Sequence, residues 1–213
     1  MKIIDLTQTI SSEMPVYPGT EPPVIKDATT IEKDGFAEKL LSFFSHTGTH
    51  IDAPGHILKG RNTLDKFSAD KFLGKGLVID VTKCTSGKIE KDLLEKHSAE
   101  IEGCDFVLFK TGWDKRWGND SYFADFPALS SKAASWLCRF NIKGIGFDCI
   151  SADPVDAADL PNHKIILDKN LIIIENLCNL DKLTGCSFLF SCLPLKIENS
   201  DGSPVRAVGI LDI

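Results

Sequence analysis

The sequence predicts an α/β protein built on a large mixed, barrel-like sheet with few helices. Three observations carry that class. Segments of strand character outnumber those with a helical period. Residues 106–110 and 143–150 are short apolar runs separated by one helical stretch, a strand, helix, strand unit of the kind that needs a parallel crossover. No repeat, low-complexity tract or linker divides the 213 residues, a length that α/β folds commonly build as one domain, so residues 1–213 are expected to form one.

Taken in order, residues 2–10 alternate imperfectly and are expected to form a first strand, ending at Ser11 and Ser12. Met14, Pro15, Val16, Tyr17, Pro18 and Gly19 dictate an ordered but irregular loop, in which Tyr17 either lines a pocket or covers the core. Residues 29–31 and 37–45 read as a hairpin joined through Asp34 and Gly35, a favoured turn pair. Residues 63–72 read as a short amphipathic helix or turn, and 76–81 as a strand buried between layers. Residues 88–100 place Ile89, Leu93 and Leu94 among charges at a helical period, which predicts a surface helix with His97 on its solvated face. After the strand 106–110, the loop up to residue 127 is either a lid or a packed surface loop. Ser130 or Ser131 caps a helix running to Phe140, followed by the strand 143–150 and a turn at 151–154. The apolar runs 165–167 and 171–174 lead to Glu175 at a strand end, and residues 188–197 and 204–213 read as two more strands linked by the turn-rich 199–202.

With 43 % hydrophobic and 25 % charged residues the chain is not a disordered one. Its net charge is −6 and its lysines are scattered, which argues against a nucleic-acid partner. The start, broken by Asp5, has no apolar core of a secretory signal, and no apolar stretch reaches transmembrane length, so a cytoplasmic protein without a membrane partner is expected. The seven cysteines are odd in number, never spaced as Cys-x-x-Cys, and several sit inside apolar runs. They read as buried reduced thiols, with no disulfide framework.

Residues 45–60 concentrate chemistry. His46, His50 and His56 fall there with Asp52, three of the protein's five histidines. Pro54 disfavours helical angles at Ala53, and Gly48 and Gly55 are poor helix formers, so the stretch should run extended. Even offsets in an extended chain share a face, which aims His46, His50 and Asp52 at one point, with His56 just beyond the Pro-Gly turn. Two imidazoles and a carboxylate so arranged suit zinc or another borderline divalent ion, and leave His56 to handle protons. Taken alone, Glu175 reads as a strand-end surface residue before a ligand, and His163 as an ordinary structural histidine.

The run His46-Thr-Gly-Thr-His50-Ile-Asp52-Ala-Pro54-Gly-His56 resembles the signature of the cyclase family of metal-dependent hydrolases, whose best-known activity is kynurenine formamidase (arylformamidase). Further blocks resemble that family in order: Phe109 to Trp113, Gly144 to Asp148 with Ser151 to Pro154, and Leu193 to Leu195 with Asp201 to Arg206. The resemblance implies a swivelling β/β/α fold. It implies that His46, His50 and Asp52 hold a first divalent ion, that Asp52 bridges to a second held by His163 and Glu175, and that His56 is the general acid/base. Zinc is the first expectation for one or two ions per subunit, manganese the second. The implied reaction is hydrolysis of a small-molecule amide, N-formylkynurenine first, in a homodimer or homotetramer. Tyr17 is the candidate substrate-binding residue, although the family's formamidases usually carry Trp at that position and Asp at that of Thr20.

Overall fold

The apolar runs become the centre of one sheet. The computed structural model describes residues 1–84 and 87–212. Among them the strands are β1 Lys2–Asp5, β2 Val24–Thr29, β3 Glu38–Ser42, β4 His50–Asp52, β5 Leu73–Asp80, β6 Lys88–Ile89, β7 Phe106–Lys110, β8 Ala128–Leu129, β9 Gly144–Phe147, β10 Ile172–Glu175, β11 Phe188–Ser191, β12 Gly202–Pro204 and β13 Val208–Leu211. Five short α-helices accompany them: α1 Ile31–Asp34, α2 Lys91–Glu95, α3 Ser98–Glu102, α4 Ser131–Leu137 and α5 Pro161–Asp168. Nine strands form one mixed sheet in the order β1-β13-β11-β5-β7-β9-β10-β4-β12. The class expected from the sequence is the one observed.

Strands β5, β7, β9 and β10 pair in parallel, and antiparallel strands flank them on both sides. Parallel strands are buried on both faces, and alternation here divides two cores cleanly. Val107, Phe109, Ile145, Phe147 and Ile173 meet α4 and α5 through Ala133, Leu137, Ile166 and Leu167. Phe106, Leu108, Ile172 and Ile174 turn the other way, onto Leu6, Ile51, Phe188 and Phe190. The second core is enclosed by the sheet's own curl. The chain just after β1, an edge strand, bridges Leu177 through Thr7, and Cys178 N donates to Leu6 O at 3.0 Å.

Several boundaries differ from expectation for local reasons. The first strand ends at Asp5, where Oδ1 accepts from Thr7 N and turns the chain. The hairpin forms as β2 with β3, but Ile31 lies in α1, a helical turn closed by Gly35 at φ 78. That hairpin is a separate two-stranded sheet, and β3 ends at Ser42, shortly before the histidine stretch. The helix expected over 88–100 is broken: Ile89 is drawn into β6 opposite Leu129, and α2 and α3 follow as two short pieces. His97 does lie on the solvated side, against Glu100. Residues 165–167 are helical, in α5. Residues 63–72 form two 3-10 turns, and α4 is capped by Ser130, whose Oγ accepts from Ala133 N. The strand expected at 188–197 stops at Ser191, and 204–213 supplies the end of β12 and then β13, with residue 213 outside the described residues. The 113–127 segment is packed: Tyr122 is fully buried and its carbonyl accepts from Trp113 Nε1.

Candidate metal centre

Strand β4 sits between β10 and β12, and its alternation sends Ile51 into the second core while His50 and Asp52 face the other way. In register, His50 lies opposite Glu175 and Asp52 opposite Gly202, so the three strands present one surface. Gly48 adopts φ +63, a left-handed turn that brings His46 back over this surface. Gly202 lets the imidazole settle, because a Cβ there would stand 2.6 Å from His46 Cε1. His56 ends the 3-10 turn Pro54–His56 that the Pro-Gly pair predicts. His163 arrives from the first turn of α5.

The side chains converge as two groups sharing one carboxylate. His46 Nδ1 lies 2.7 Å and His50 Nε2 3.3 Å from Asp52 Oδ1. His163 Nε2 lies 3.4 Å from Asp52 Oδ2 and 3.3 Å from Glu175 Oε1. Within the set His46, His50, Asp52, and again within Asp52, His163, Glu175, the donor atoms lie within 4.8 Å of one another. A third set, His46, His56 and Asp201, meets the same test. Asp201 Oδ2 takes His46 Nε2 at 3.0 Å and His56 Nδ1 at 3.3 Å, and Oδ1 accepts from Ser45 Oγ.

Imidazoles that hold a cation need their other nitrogen anchored. Asp153 Oδ2 does this for His163, at 2.8 Å from Nδ1, and the Gly48 carbonyl for His50, also at 2.8 Å. Asp148, the neighbouring buried carboxylate, caps Thr111 and Gly112 instead, and burial raises its pKa to about 6 against those hydrogen bonds. The centre is crowded with opposed charges. Burial works against charge on Asp52, but His46 and the hydrogen bonds from His163, His46 and His50 hold its pKa well below the usual carboxylate range. Burial likewise opposes a proton on His46, yet Asp52 and Asp201 raise it to about 10. Burial pushes the His56 pKa down. Buried imidazoles paired with carboxylates, anchored from behind and free of thiolate, suit a divalent cation by their donor chemistry.

The centre forms the wall of a cavity of about 530 Å³, a size suited to a small molecule. Tyr17, Met14, Phe44, Ile150 and Leu160 line it, and the Tyr17 hydroxyl donates to Val155 O at 3.2 Å. His46, His50, Asp52, His56, His163, Glu175 and Tyr17 all border this one space. Asp201, Ser45, Asn176 and Phe44 are the residues that reading the sequence missed. Only Asp201 carried a signal, as the first residue of the Asp201-Gly-Ser-Pro block.

A profile of the Cyclase family matches residues 4–154. An uncharacterized protein of Methanocaldococcus jannaschii is 36 % identical over 99 % of this chain and 100 % of its own length. A kynurenine formamidase of Bacillus anthracis is 33 % identical over 97 % of this chain and 96 % of its own. Among solved structures, an isatin hydrolase bound to the product analogue thioisatinate superposes with a TM-score of 0.89 at 27 % identity, covering 100 % of this chain and 93 % of that one. A potential metal-dependent hydrolase with cyclase activity follows with a TM-score of 0.81 at 30 % identity, covering 98 % and 96 %.

Proposed function

The chain belongs to the cyclase family of metal-dependent hydrolases, and from that premise we propose that it hydrolyses small aryl amides, N-formylkynurenine to kynurenine and formate first among them. The observation that carries this reading is Asp52, shared between two imidazole-carboxylate groups in the wall of a largely apolar cavity. His46, His50 and Asp52 would hold one divalent ion, and Asp52, His163 and Glu175 a second, zinc being the first choice and manganese the next. Such an ion polarises a carbonyl and brings the pKa of water from 15.7 to roughly 7.

The chain's own groups do the rest. Asp153 and the Gly48 carbonyl fix the tautomers of His163 and His50, so that each turns Nε2 to the centre. The lowered pKa of His56 keeps its imidazole neutral at neutral pH, able to take a proton from water and pass it to the departing nitrogen. Tyr17, Phe44 and Met14 offer an aromatic amide an apolar bed. A cytoplasmic homodimer or homotetramer belongs to the same reading, since β2 and β3 expose Leu40, Leu41 and Val24 on a two-stranded sheet that would be marginal alone.

A second substrate class has specific support. The likeness to an isatin hydrolase favours cyclic aryl amides, which need the same chemistry. The deciding experiment is turnover of N-formylkynurenine and of isatin by metal-stripped protein, before and after adding Zn²⁺ or Mn²⁺, with metal content measured on the same samples. Metal-dependent hydrolysis of the first establishes the formamidase reading, and of isatin alone the cyclic one. Bound metal with turnover of neither substrate overturns both. His56→Gln should retain metal and lose turnover; unchanged turnover would remove the acid/base role.

A further inference from the structure

Asn176 follows Glu175 directly, and neither the metal groups nor the proton path uses it. It is buried and held at φ +58, in the left-handed region. Its side chain is engaged at both ends: Nδ2 donates to Gly48 O at 2.8 Å, and Oδ1 accepts from the Tyr122 hydroxyl at 2.7 Å. The amide cannot be turned round without loss, because a carbonyl can only accept. The same Gly48 carbonyl accepts from His50 Nδ1, also at 2.8 Å. A second stitch ties the neighbouring residue, Thr49 Oγ1 donating to Asn176 O at 2.6 Å.

We propose that Tyr122 and Asn176 form a positioning relay that holds the Gly48 carbonyl in place and through it fixes the ring plane and tautomer of His50. Gly48 is the residue type least able to hold its own peptide plane, so the carbonyl that anchors His50 needs an outside restraint. Asn176 is that restraint, and Tyr122 orients the amide. With Gly48 O accepting, His50 carries a proton on Nδ1 and turns Nε2, the nitrogen a cation would take, to Asp52 and Glu175. The packed 113–127 segment thereby reaches the centre without touching it: Tyr122 is wedged against Trp117, ring centroids 5.2 Å apart, and burial keeps its phenol protonated and donating.

The inference rests on the metal-hydrolase reading where it concerns affinity, but the tautomer of His50 is a property of the protein alone. The experiment therefore pairs two readouts on wild type, Asn176→Ala and Tyr122→Phe. Zinc affinity is measured by chelator competition, and the His50 ring nitrogens of the metal-free proteins by ¹⁵N NMR. In Asn176→Ala, zinc affinity is expected to fall roughly 10–100-fold, as for other groups that orient a ligand, and the Nδ1–H form of His50 to give way to a tautomer mixture. Tyr122→Phe, which removes a single oxygen, should show the same two changes in smaller measure. Wild-type affinity and a wild-type His50 signal in folded variants overturn the relay and leave the hydrolase reading intact. If Asn176→Ala does not fold, Tyr122→Phe decides by the same criterion. If wild type binds no metal, the hydrolase reading falls, and the tautomer measurement alone upholds or overturns the relay.

Discussion

Asp52 Oδ2 lies 3.4 Å from His163 Nε2, while Oδ1 of the same carboxylate faces His46 and His50. One side chain, 1 % exposed, thus joins imidazoles delivered by β4 and its approach to one delivered by α5. Asp52→Asn keeps the shape and removes the charge that both groups share. Bound metal should be lost on dialysis, and turnover should fall by more than the roughly 10–100-fold typical of a residue that only orients a ligand. Metal analysis and kinetics on one preparation check this; a variant that keeps its metal and its rate contradicts it.

Gly202 tests the other side of the same group. A Cβ built there would lie 2.6 Å from His46 Cε1 and 2.7 Å from Nε2, so Gly202→Ala must displace the imidazole. The ring sits at the cavity rather than in the cores, so thermal stability should change little. Zinc affinity and turnover should fall together, about tenfold or more by analogy with lost orienting contacts. Unchanged zinc affinity would show that His46 does not serve the centre from this position.

Part of this arrangement is legible in the sequence. His50 and Asp52 are two residues apart, and the period of a strand alone brings them to one face. His46 is less simple: the left-handed turn at Gly48, not an extended run, returns it to the group. Asp201 is hidden in a turn-rich connector, since it reaches the centre only because β12 pairs with β4, a contact that nothing local to either segment encodes. His163 and Glu175 are unremarkable alone and gain meaning from family resemblance, because their partnership depends on how α5 packs on the sheet. The same limit explains the broken helix over 88–100, where pairing of Ile89 with Leu129 overrides a helical period.

Lys71 gives a stability test away from the centre. Its Nζ lies over the Phe67 ring, 5.4 Å from the centroid, and donates to Asn170 O at 2.8 Å, and burial followed by the charge of Lys143 lowers its pKa from 10.5 to about 8. The folded chain therefore gives up this proton before the unfolded chain does. Between those two values the unfolded state binds more protons, so this group's contribution to stability rises with pH across that window. Below it the cost of burying the charge is fully present, and above it the cost is gone. Lys71→Met keeps the stem and removes the titration. Its advantage over wild type in urea melts should be larger near pH 7.5 and shrink towards pH 10.5; an advantage that stays constant or grows contradicts the shift.

Asp153 joins folding to function in one carboxylate. Helix α5 opens at Leu160 with φ 43 and no capping side chain of its own. Asp153 supplies the cap from a distance, Oδ1 accepting from Asn162 N at 2.9 Å and Oδ2 from His163 N at 3.0 Å. The same Oδ2 holds His163 Nδ1. Asp153→Ala strips the cap and the anchor at once. Losing the cap and leaving buried amides unpaired should cost about 2 kcal/mol, a fall in Tm of about 4–8 °C for a chain of this size. The free His163 ring should also weaken zinc binding roughly 10–100-fold. A variant that loses stability but keeps wild-type zinc affinity would make Asp153 a helix cap alone, and His163 would then hold its orientation by packing within α5.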